Sequence, residues 1–235
     1  LKPGEPMNVL IVGAGIVGYG CAYSALLDGF DVTVVDHSIE FGLPNVWPSI
    51  LLSKESIPLE FSTDQNFEGT EKAHRHEWIM KSMSIELAKK GCHFLHKTRI
   101  NHSERKKNGT YSVEFVGAGQ VNGTKQYQHL IDATQDTWIP WATPHQITKP
   151  SSQYNVERQK ATGFVHLDTS ISDFQNSIYQ INRQDGLIES WFSGNPNITN
   201  RKTIEIISTM LPTDHSLWDC SHRFQTGMNL WNILE

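Results

Sequence analysis

The glycine cluster near the amino terminus constrains the fold of this chain more than any other feature. Residues 7–12 (MNVLIV) form an apolar run typical of a strand buried on both faces, and the glycine-rich run 13–18 (GAGIVG) follows directly. Residues 19–28 predict a helix that ends at Gly29, and residues 31–36 (DVTVVD) predict a second buried strand that ends in an acid. This order of elements within about 30 residues is the pattern of a dinucleotide-binding Rossmann unit.

Each characteristic position of such a unit has a physical role, and the residues of this sequence suit those roles. Gly13 permits the tight turn, Gly15 lets the backbone approach a diphosphate, and Gly18 lets the helix pack closely on the strand. The helix N-terminus offers unpaired N–H groups and a partial positive charge to the diphosphate. Asp36 is placed to accept ribose hydroxyls, which disfavours the 2′-phosphate of NADP. These residues alone leave both FAD and NAD open.

A second glycine cluster, residues 116–123 (VGAGQVNG), imitates this motif but does not predict a second nucleotide site. Only a few residues separate it from the next strand-like run at 127–133, so no crossover helix fits between them. The sequence therefore predicts a hairpin turn at this cluster.

The elements that follow the opening unit extend a parallel sheet. Residues 71–90 predict an amphipathic helix, and residues 92–100 predict the third parallel strand. Residues 110–115 and 127–133 predict a hairpin whose second strand joins the main sheet. The fold class is therefore α/β, with a Rossmann-type parallel sheet.

The remaining sequence predicts a small antiparallel cap sheet. Three strand-like runs lie at 163–168, 177–181 and 187–192, and a helix is predicted over 201–210 with Thr199 as its N-cap. The predicted domains are residues 1–140 with 200–235 for the Rossmann-type domain, and residues 141–199 for the cap.

Composition excludes several classes of function. The chain has 20 basic and 25 acidic residues and no basic cluster, which argues against a nucleic-acid partner. Three widely spaced cysteines do not form a disulfide scaffold or a zinc ribbon, and His74 and His76 would face different sides of a helix, so no metal site is expected. No apolar run is long enough to cross a bilayer and no signal-peptide pattern is present, so we expect a cytoplasmic protein of open oligomeric state.

The opening unit resembles the FAD-binding start of the glutathione-reductase-like flavoproteins, especially the amino-acid oxidase and aromatic hydroxylase branches. Residues 75–78 (RHEW) are similar to the Arg-x-x-Leu of the hydroxylases, and residues 129–134 (HLIDAT) to the strand that ends in Ala-Thr-Gly. Residues 213–215 (TDH) and 227–229 (GMN) resemble the Gly-Asp motif and the Gly-Met-Asn turn of the family. The resemblance covers about 170 of the 235 residues.

This resemblance implies non-covalently bound FAD, with Asp214 on a ribityl or ribose hydroxyl and a helix N-terminus at Gly227 bordering the flavin ring. Thr213 and Gln135 stand where the family has glycine, and each adds a side chain beside the expected path of the cofactor. The expected cofactor-binding residues are Gly13, Ala14, Gly15, Ile16, Val17, Gly18, Asp36, His37, Arg75, Ala133, Thr134, Asp214, Gly227, Met228 and Asn229.

Catalytic candidates are fewer, because in flavin enzymes the cofactor supplies the redox chemistry. His215 and His222 lie in the stretch that the resemblance places near the flavin, and either could donate a proton or simply be packed or solvated. Trp138, Trp141 and Trp191 could line an aromatic substrate pocket or fill the core between layers.

The function that these features favour is an FAD-dependent oxidoreductase, with a flavin monooxygenase as one form of it. Its substrate would be a small organic molecule, aromatic in the simplest case, held between the cap sheet and the flavin, and NAD(P)H or a reductase protein would supply electrons. The alternatives are a redox-neutral FAD-containing cyclase or isomerase, a non-catalytic dinucleotide-binding partner subunit, and an NAD-dependent dehydrogenase.

Overall fold

The computed structural model describes ten stretches of the chain, and every structural statement below refers to them. They are residues 7–43, 46–51, 57–58, 72–73, 76–117, 122–137, 149–167, 174–183, 185–198 and 203–233. The helices are α1 (Ile16–Leu27), α2 (His76–Lys89) and α3 (Cys220–Asn232). The strands are β1 (Asn8–Val12), β2 (Asp31–Val35), β3 (Ile50–Leu51), β4 (Lys72–Ala73), β5 (His93–Leu95), β6 (Thr98–Arg105), β7 (Tyr111–Gly117), β8 (Gly123–Tyr127), β9 (His129–Asp132), β10 (Ser152–Gln153), β11 (Arg158–His166), β12 (Tyr179–Asn182), β13 (Ile188–Ser193) and β14 (Thr203–Pro212).

The chain divides into two compact units. Unit 1 comprises Leu1–Leu43, Met83–Asn155 and Phe224–Glu235, and unit 2 comprises Pro44–Ser82 and Val156–Arg223. These boundaries differ from the predicted domains, 1–140 with 200–235 and 141–199. One difference arises because residues 203–212 form a strand of the unit 2 sheet rather than a helix of the Rossmann-type domain. Another is that Pro44–Ser82, predicted within the Rossmann-type domain, belongs to unit 2.

Unit 1 is built on a five-stranded parallel sheet with the strand order β10-β9-β1-β2-β5. Its central strand β1 pairs in parallel with β2 on one side and with β9 on the other, and four of its five residues are buried. Parallel sheets need both faces covered, which explains why β1 and β2 read as nearly continuous apolar runs. The predicted α/β fold with a parallel sheet is therefore confirmed.

Helix α1 is buried along most of its length, so it needs a partner on more than one side. It follows β1 and contacts both β1 and β2, while α3 covers another side. Tyr23 and Phe224 pack with ring centroids 5.8 Å apart, and a Cβ on Gly227 would collide with the carbonyl oxygen of Val17. The absence of a side chain at Gly227 is thus what lets the two helices approach.

A three-stranded antiparallel sheet, β6-β7-β8, also belongs to unit 1. Its apolar face forms one core with the parallel sheet, and this core consists of Leu10, Val12, Val35, Ile100, Tyr111, Val113, Phe115, Tyr127 and Leu130. Strands β7 and β8 pair antiparallel across the second glycine cluster, so the predicted hairpin turn is confirmed. The predicted second strand, 127–133, is wrong as a hairpin partner, because β8 pairs with β7 while β9 is a separate strand that joins the parallel sheet. The predicted strand over 92–100 is wrong in extent: Lys97, with φ 48°, turns the chain, and only β5 joins the parallel sheet.

Unit 2 contains a four-stranded antiparallel sheet with the order β12-β13-β11-β14, and the short pair β3 and β4. The predicted antiparallel sheet is confirmed for β11, β12 and β13. The helix predicted over 201–210 is wrong, because β14 pairs with β11 along its length. Five of the first seven residues of this segment are Ile or Thr, and β-branched side chains favour the pleated strand over the helix.

None of the helices in the described stretches has the length and apolarity that crossing a bilayer requires.

The contact between α1 and α3 gives a direct test. Alanine in place of glycine inside a helix normally stabilises it by about 1 kcal/mol. At Gly227 the added methyl meets backbone of α1, so we expect Gly227→Ala to lower the free energy of unfolding by about 1–3 kcal/mol instead. Urea denaturation measures this, with Asn229→Ala on the exposed side of the same helix as the control. An unchanged or raised stability in Gly227→Ala would contradict the packing described.

Candidate dinucleotide-binding site

The glycine loop of unit 1 makes a tight turn at the carboxyl end of β1. Gly13 has a φ of 106°, and its N–H donates to the carbonyl oxygen of Val35, 2.9 Å away. A Cβ on Gly13 would lie 2.9 Å from the carbonyl carbon of Ala133, and one on Gly18 would collide with the carbonyl oxygen of Gly13. The turn predicted for Gly13 and the close packing predicted for Gly18 are therefore present.

Asp36 lies at the carboxyl end of β2 and holds this loop. Its side chain is buried, with Oδ2 accepting from the N–H of Ala14 at 2.9 Å and Oδ1 from that of Ser38 at 2.7 Å. The Nδ1 atom of His37 lies 3.5 Å from Oδ1. A carboxylate has about four lone-pair positions, so each oxygen keeps acceptor capacity for a ribose hydroxyl. Asp36 therefore has the acceptor capacity that the predicted role requires, and its contact with a ribose hydroxyl stays a prediction.

A second acid, Asp136, occupies the opposite side of the loop. It ends a 3₁₀ turn, Thr134–Asp136, that follows β9, and its side chain is 2% exposed. Its Oδ2 accepts from the N–H of Val17 at 2.9 Å, while the N-cap residue Gly15 contributes no side-chain cap to α1. A Cβ on Gly15 would lie 2.5 Å from that same Oδ2. Asp136 thus fills the space that glycine opens in front of the helix.

The residues of the site therefore fit one part of a dinucleotide better than another. Asp36, where a Rossmann unit binds ribose, retains hydrogen-bonding capacity, whereas the start of α1, where such a unit binds the diphosphate, holds a carboxylate. Ala14, Ile16, Ala133 and Thr134 lie in or beside this loop and are buried, and their contact with a cofactor stays a prediction. The Nε2 of Gln135, which stands where the family has glycine, donates to Asn155 Oδ1 at 3.3 Å.

Sequence reasoning missed Asp136, because nothing local marks it as a helix cap. The N–H of Val17 that it accepts from lies 119 residues away in the sequence. The available signal was topological: an acid just beyond a strand that pairs with β1 must lie near the glycine loop.

The carboxy-terminal Gly-Met-Asn motif lies in the middle of α3, which begins at Cys220. The predicted helix N-terminus at Gly227 is therefore wrong. Gly227 is buried against α1, Met228 is half-buried and Asn229 is exposed. The three residues form interior helical backbone, whose N–H groups bond within the helix and do not offer the partial positive charge of a helix start.

Asp214, in unit 2, caps a short 3₁₀ helix, His215–Trp218. Its Oδ1 accepts from the N–H and from the hydroxyl of Ser216, at 2.9 and 2.8 Å, and these hydrogen bonds lower the pKa of the exposed carboxyl. The preceding Thr213 is exposed and its N–H donates to the carbonyl oxygen of Glu157. The contact of Asp214 with a cofactor hydroxyl stays a prediction.

The two candidate histidines have different surroundings. The Nε2 of His215 lies 3.0 Å from the amide nitrogen of Gln159, and its ring packs on Trp218 with centroids 4.8 Å apart. His222 is exposed, and its Nδ1 lies 3.3 Å from Asp219 Oδ2. Each imidazole has a structural partner, and proton donation by either stays a prediction.

Other residues named from the sequence have simpler outcomes. Trp191 is fully buried in the unit 2 core and its indole N–H donates to Glu189 at 2.8 Å, so it fills the core rather than lining a pocket. Arg75, Trp138 and Trp141 lie outside the described residues. Among the stretches that the structure describes, no group of three or more His, Cys, Asp or Glu side chains could hold a metal ion.

Unit 2 also contains a buried cationic group that the sequence did not reveal. Arg223 is fully buried, its guanidinium lies 4.2 Å from the centroid of the Trp47 ring, and one of its amino groups lies 3.4 Å from the carbonyl oxygen of Pro48. Burial, together with the positive charge of Arg223, lowers the pKa of His76 to about 3.

Comparison with known proteins identifies the fold. Neither a protein-family model nor a curated protein sequence matches the chain. Among solved structures, a geranylgeranyl bacteriochlorophyll reductase-like protein of Thermoplasma acidophilum aligns with a TM-score of 0.63 at 10% identity, over 98% of this chain and 78% of that one. The p-nitrophenol 4-monooxygenase of Pseudomonas putida DLL-E4 aligns with a TM-score of 0.57 at 12% identity, over 97% and 79%.

A third similar structure is that of a protein with FAD bound. The L-α-glycerophosphate oxidase of Mycoplasma pneumoniae, with FAD bound, aligns with a TM-score of 0.55 at 10% identity, over 97% of this chain and 95% of that one. Identities this low establish a shared fold. The chain therefore shares the fold of these three proteins, as the sequence resemblance implied.

The depressed pKa of His76 makes the stability of the protein depend on pH. Its imidazole is neutral in the folded state above about pH 3, but in the unfolded chain it gains a proton near pH 6.5. Protonation therefore favours the unfolded chain. As the pH falls below 6.5, the free energy of unfolding decreases by up to about 1.4 kcal/mol per pH unit.

We expect His76→Gln to flatten the pH dependence of the free energy of unfolding, measured in urea between about pH 7 and pH 5. His102→Gln, which removes an exposed histidine, serves as the control. Equal slopes in wild type and His76→Gln would contradict a buried neutral imidazole.

Proposed function

We propose that this chain is a flavoprotein of the oxidoreductase class that binds FAD through the glycine loop of unit 1. The observation that supports this most is the pairing of that loop with Asp36, whose two oxygens anchor Ala14 and Ser38 and still have capacity for ribose hydroxyls. The shared fold with FAD-dependent enzymes makes FAD a better candidate than NAD.

The residues of the chain have separate parts in this proposal. Asp36 would orient the ribose next to the adenine, and the loop from Gly13 to Gly18 would carry the diphosphate at the start of α1. When bound, FAD supplies hydride and oxygen chemistry, while the protein supplies binding, orientation and electrostatics. The finer proposal is a monooxygenase that acts on a small aromatic molecule, with NAD(P)H or a reductase protein as the electron donor.

A second candidate function is a non-catalytic dinucleotide-binding subunit. Two observations favour it: Gly227 lies inside α3 rather than at a helix start, and Asp136 lies at the diphosphate position. Such a protein would bind nucleotide without turning over a substrate.

The proposal is tested by titrating FAD into the whole chain and following flavin fluorescence. If the loop binds the adenosine half of FAD, ADP competes with FAD and FMN does not. Asp36→Asn should weaken FAD binding about tenfold, because a charged hydrogen bond to the ribose is lost. Asp31→Asn is the matched control, since it removes one negative charge at the opposite, exposed end of β2.

Equal weakening of FAD binding in both aspartate variants, or no weakening in either, would contradict the role of Asp36. Absence of FAD binding in the wild type and also in Asp136→Ala, which removes the carboxylate at the start of α1, would contradict the proposal. Bleaching of the bound flavin by NAD(P)H or by a substrate would support the enzyme. Stable nucleotide binding with no flavin reduction would support the non-catalytic subunit.

A further inference from the structure

The start of α1 has a geometric conflict with the ligand proposed for it. In a Rossmann unit the first N–H groups of this helix bind the diphosphate, and the second glycine leaves room for it. Here the N–H of Val17 donates to Asp136 Oδ2 at 2.9 Å, and that oxygen lies 2.5 Å from where a Cβ on Gly15 would be. A diphosphate and this carboxylate require the same donor and the same space.

Several local bonds fix the turn that carries Asp136. Asp132 Oδ1, at the end of β9, accepts from the N–H and from the hydroxyl of Thr134, at 2.9 and 2.6 Å. The N–H of Asp136 donates to the carbonyl oxygen of Ala133 at 3.2 Å, and the hydroxyl of Thr137 to that of Thr134 at 2.9 Å. The carboxylate is therefore directed at α1 by the end of the strand and is 2% exposed.

The electrostatics favour this arrangement. The start of a helix carries about half a positive charge, and a buried carboxylate that accepts one of its N–H groups is held by a charge-assisted hydrogen bond. Because Asp136 is part of the same chain, it competes with a free anion at a high effective concentration. A diphosphate that enters while Asp136 stays in place would also lie a few ångströms from a like charge.

We infer that Asp136 is an internal anion that occupies the diphosphate subsite of the glycine loop, so that a dinucleotide binds only when the Thr134–Asp136 turn releases Val17. The inference rests on the proposed function for the identity of the nucleotide, but the subsite itself is defined by Val17, Gly15 and Asp136 alone. The contact is thus autoinhibitory for FAD binding.

Two substitutions separate the effects of space and charge. Asp136→Ala removes the competing carboxylate and opens the space, so FAD and inorganic pyrophosphate should each bind at least about tenfold more tightly than to wild type. Asp136→Asn removes the charge but keeps an oxygen that can accept from Val17, so its affinities should lie between these values. This second variant also preserves the helix cap if Asp136→Ala unfolds.

The measurements use the whole chain, with Asp31→Asn as the control for one lost negative charge. FAD binding is followed by flavin fluorescence, and pyrophosphate binding by the amide resonances of Gly15 and Val17. Tighter binding of both ligands in the Asp136 variants, with Asp31→Asn equal to wild type, is the expected result.

The two proposals fail in different ways. If the variants bind pyrophosphate more tightly but neither they nor the wild type bind FAD, the anion subsite is supported and the FAD proposal is overturned. If wild type and variants bind FAD equally well, the FAD proposal is supported and the inference about Asp136 is overturned. If no variant changes the affinity for either ligand, Asp136 does not occupy a functional subsite.

Discussion

The amino end of α1 sets the requirements that the rest of unit 1 meets. Four N–H groups at the start of a helix lack partners within it, and those of α1 face the edge of a parallel sheet where almost every neighbour is buried. Asp136 meets part of this need because it accepts from Val17 in the first turn of the helix, while Asp36 accepts from Ala14 in the loop that precedes the helix. The glycine loop is therefore held between two acids rather than left open.

Strand pairing places those acids. Val12, the last residue of β1, pairs with Val35 on one side and with Asp132 on the other. The residues that follow β2 and β9 consequently flank the loop, at the point where the order β10-β9-β1-β2-β5 places strands on both sides of β1. Open α/β sheets bind ligands at such a point, so the same topology that makes a nucleotide site brings a second acid into it.

The sequence predicted the parts of this architecture that depend on local chemistry. The opening βαβ unit, the glycine turn, Asp36 and the antiparallel strands β11 to β13 could all be read from periodicity and residue type. The role of Gly227 could not be predicted in this way. A glycine that lets a neighbouring helix pack closely looks identical in sequence to one that begins a helix beside a cofactor. The segment that forms β14 was predicted as a helix because the N-cap signal of Thr199 outweighed its β-branched residues. Its pairing partner β11 is distant in the sequence, so no local pattern indicates the strand. Asp136 was missed for the same reason, since its partner is 119 residues away.

The central claim is that the N–H of Val17 is bound by Asp136 in the free protein and by a diphosphate in the nucleotide complex. A crystal structure of the whole chain grown with FAD tests it most directly. We expect an FAD diphosphate within hydrogen-bond distance of the Val17 nitrogen, the Asp136 carboxylate displaced from it, and the ribose next to the adenine on Asp36. FAD bound with the Asp136–Val17 hydrogen bond intact, or bound away from the glycine loop, would contradict it.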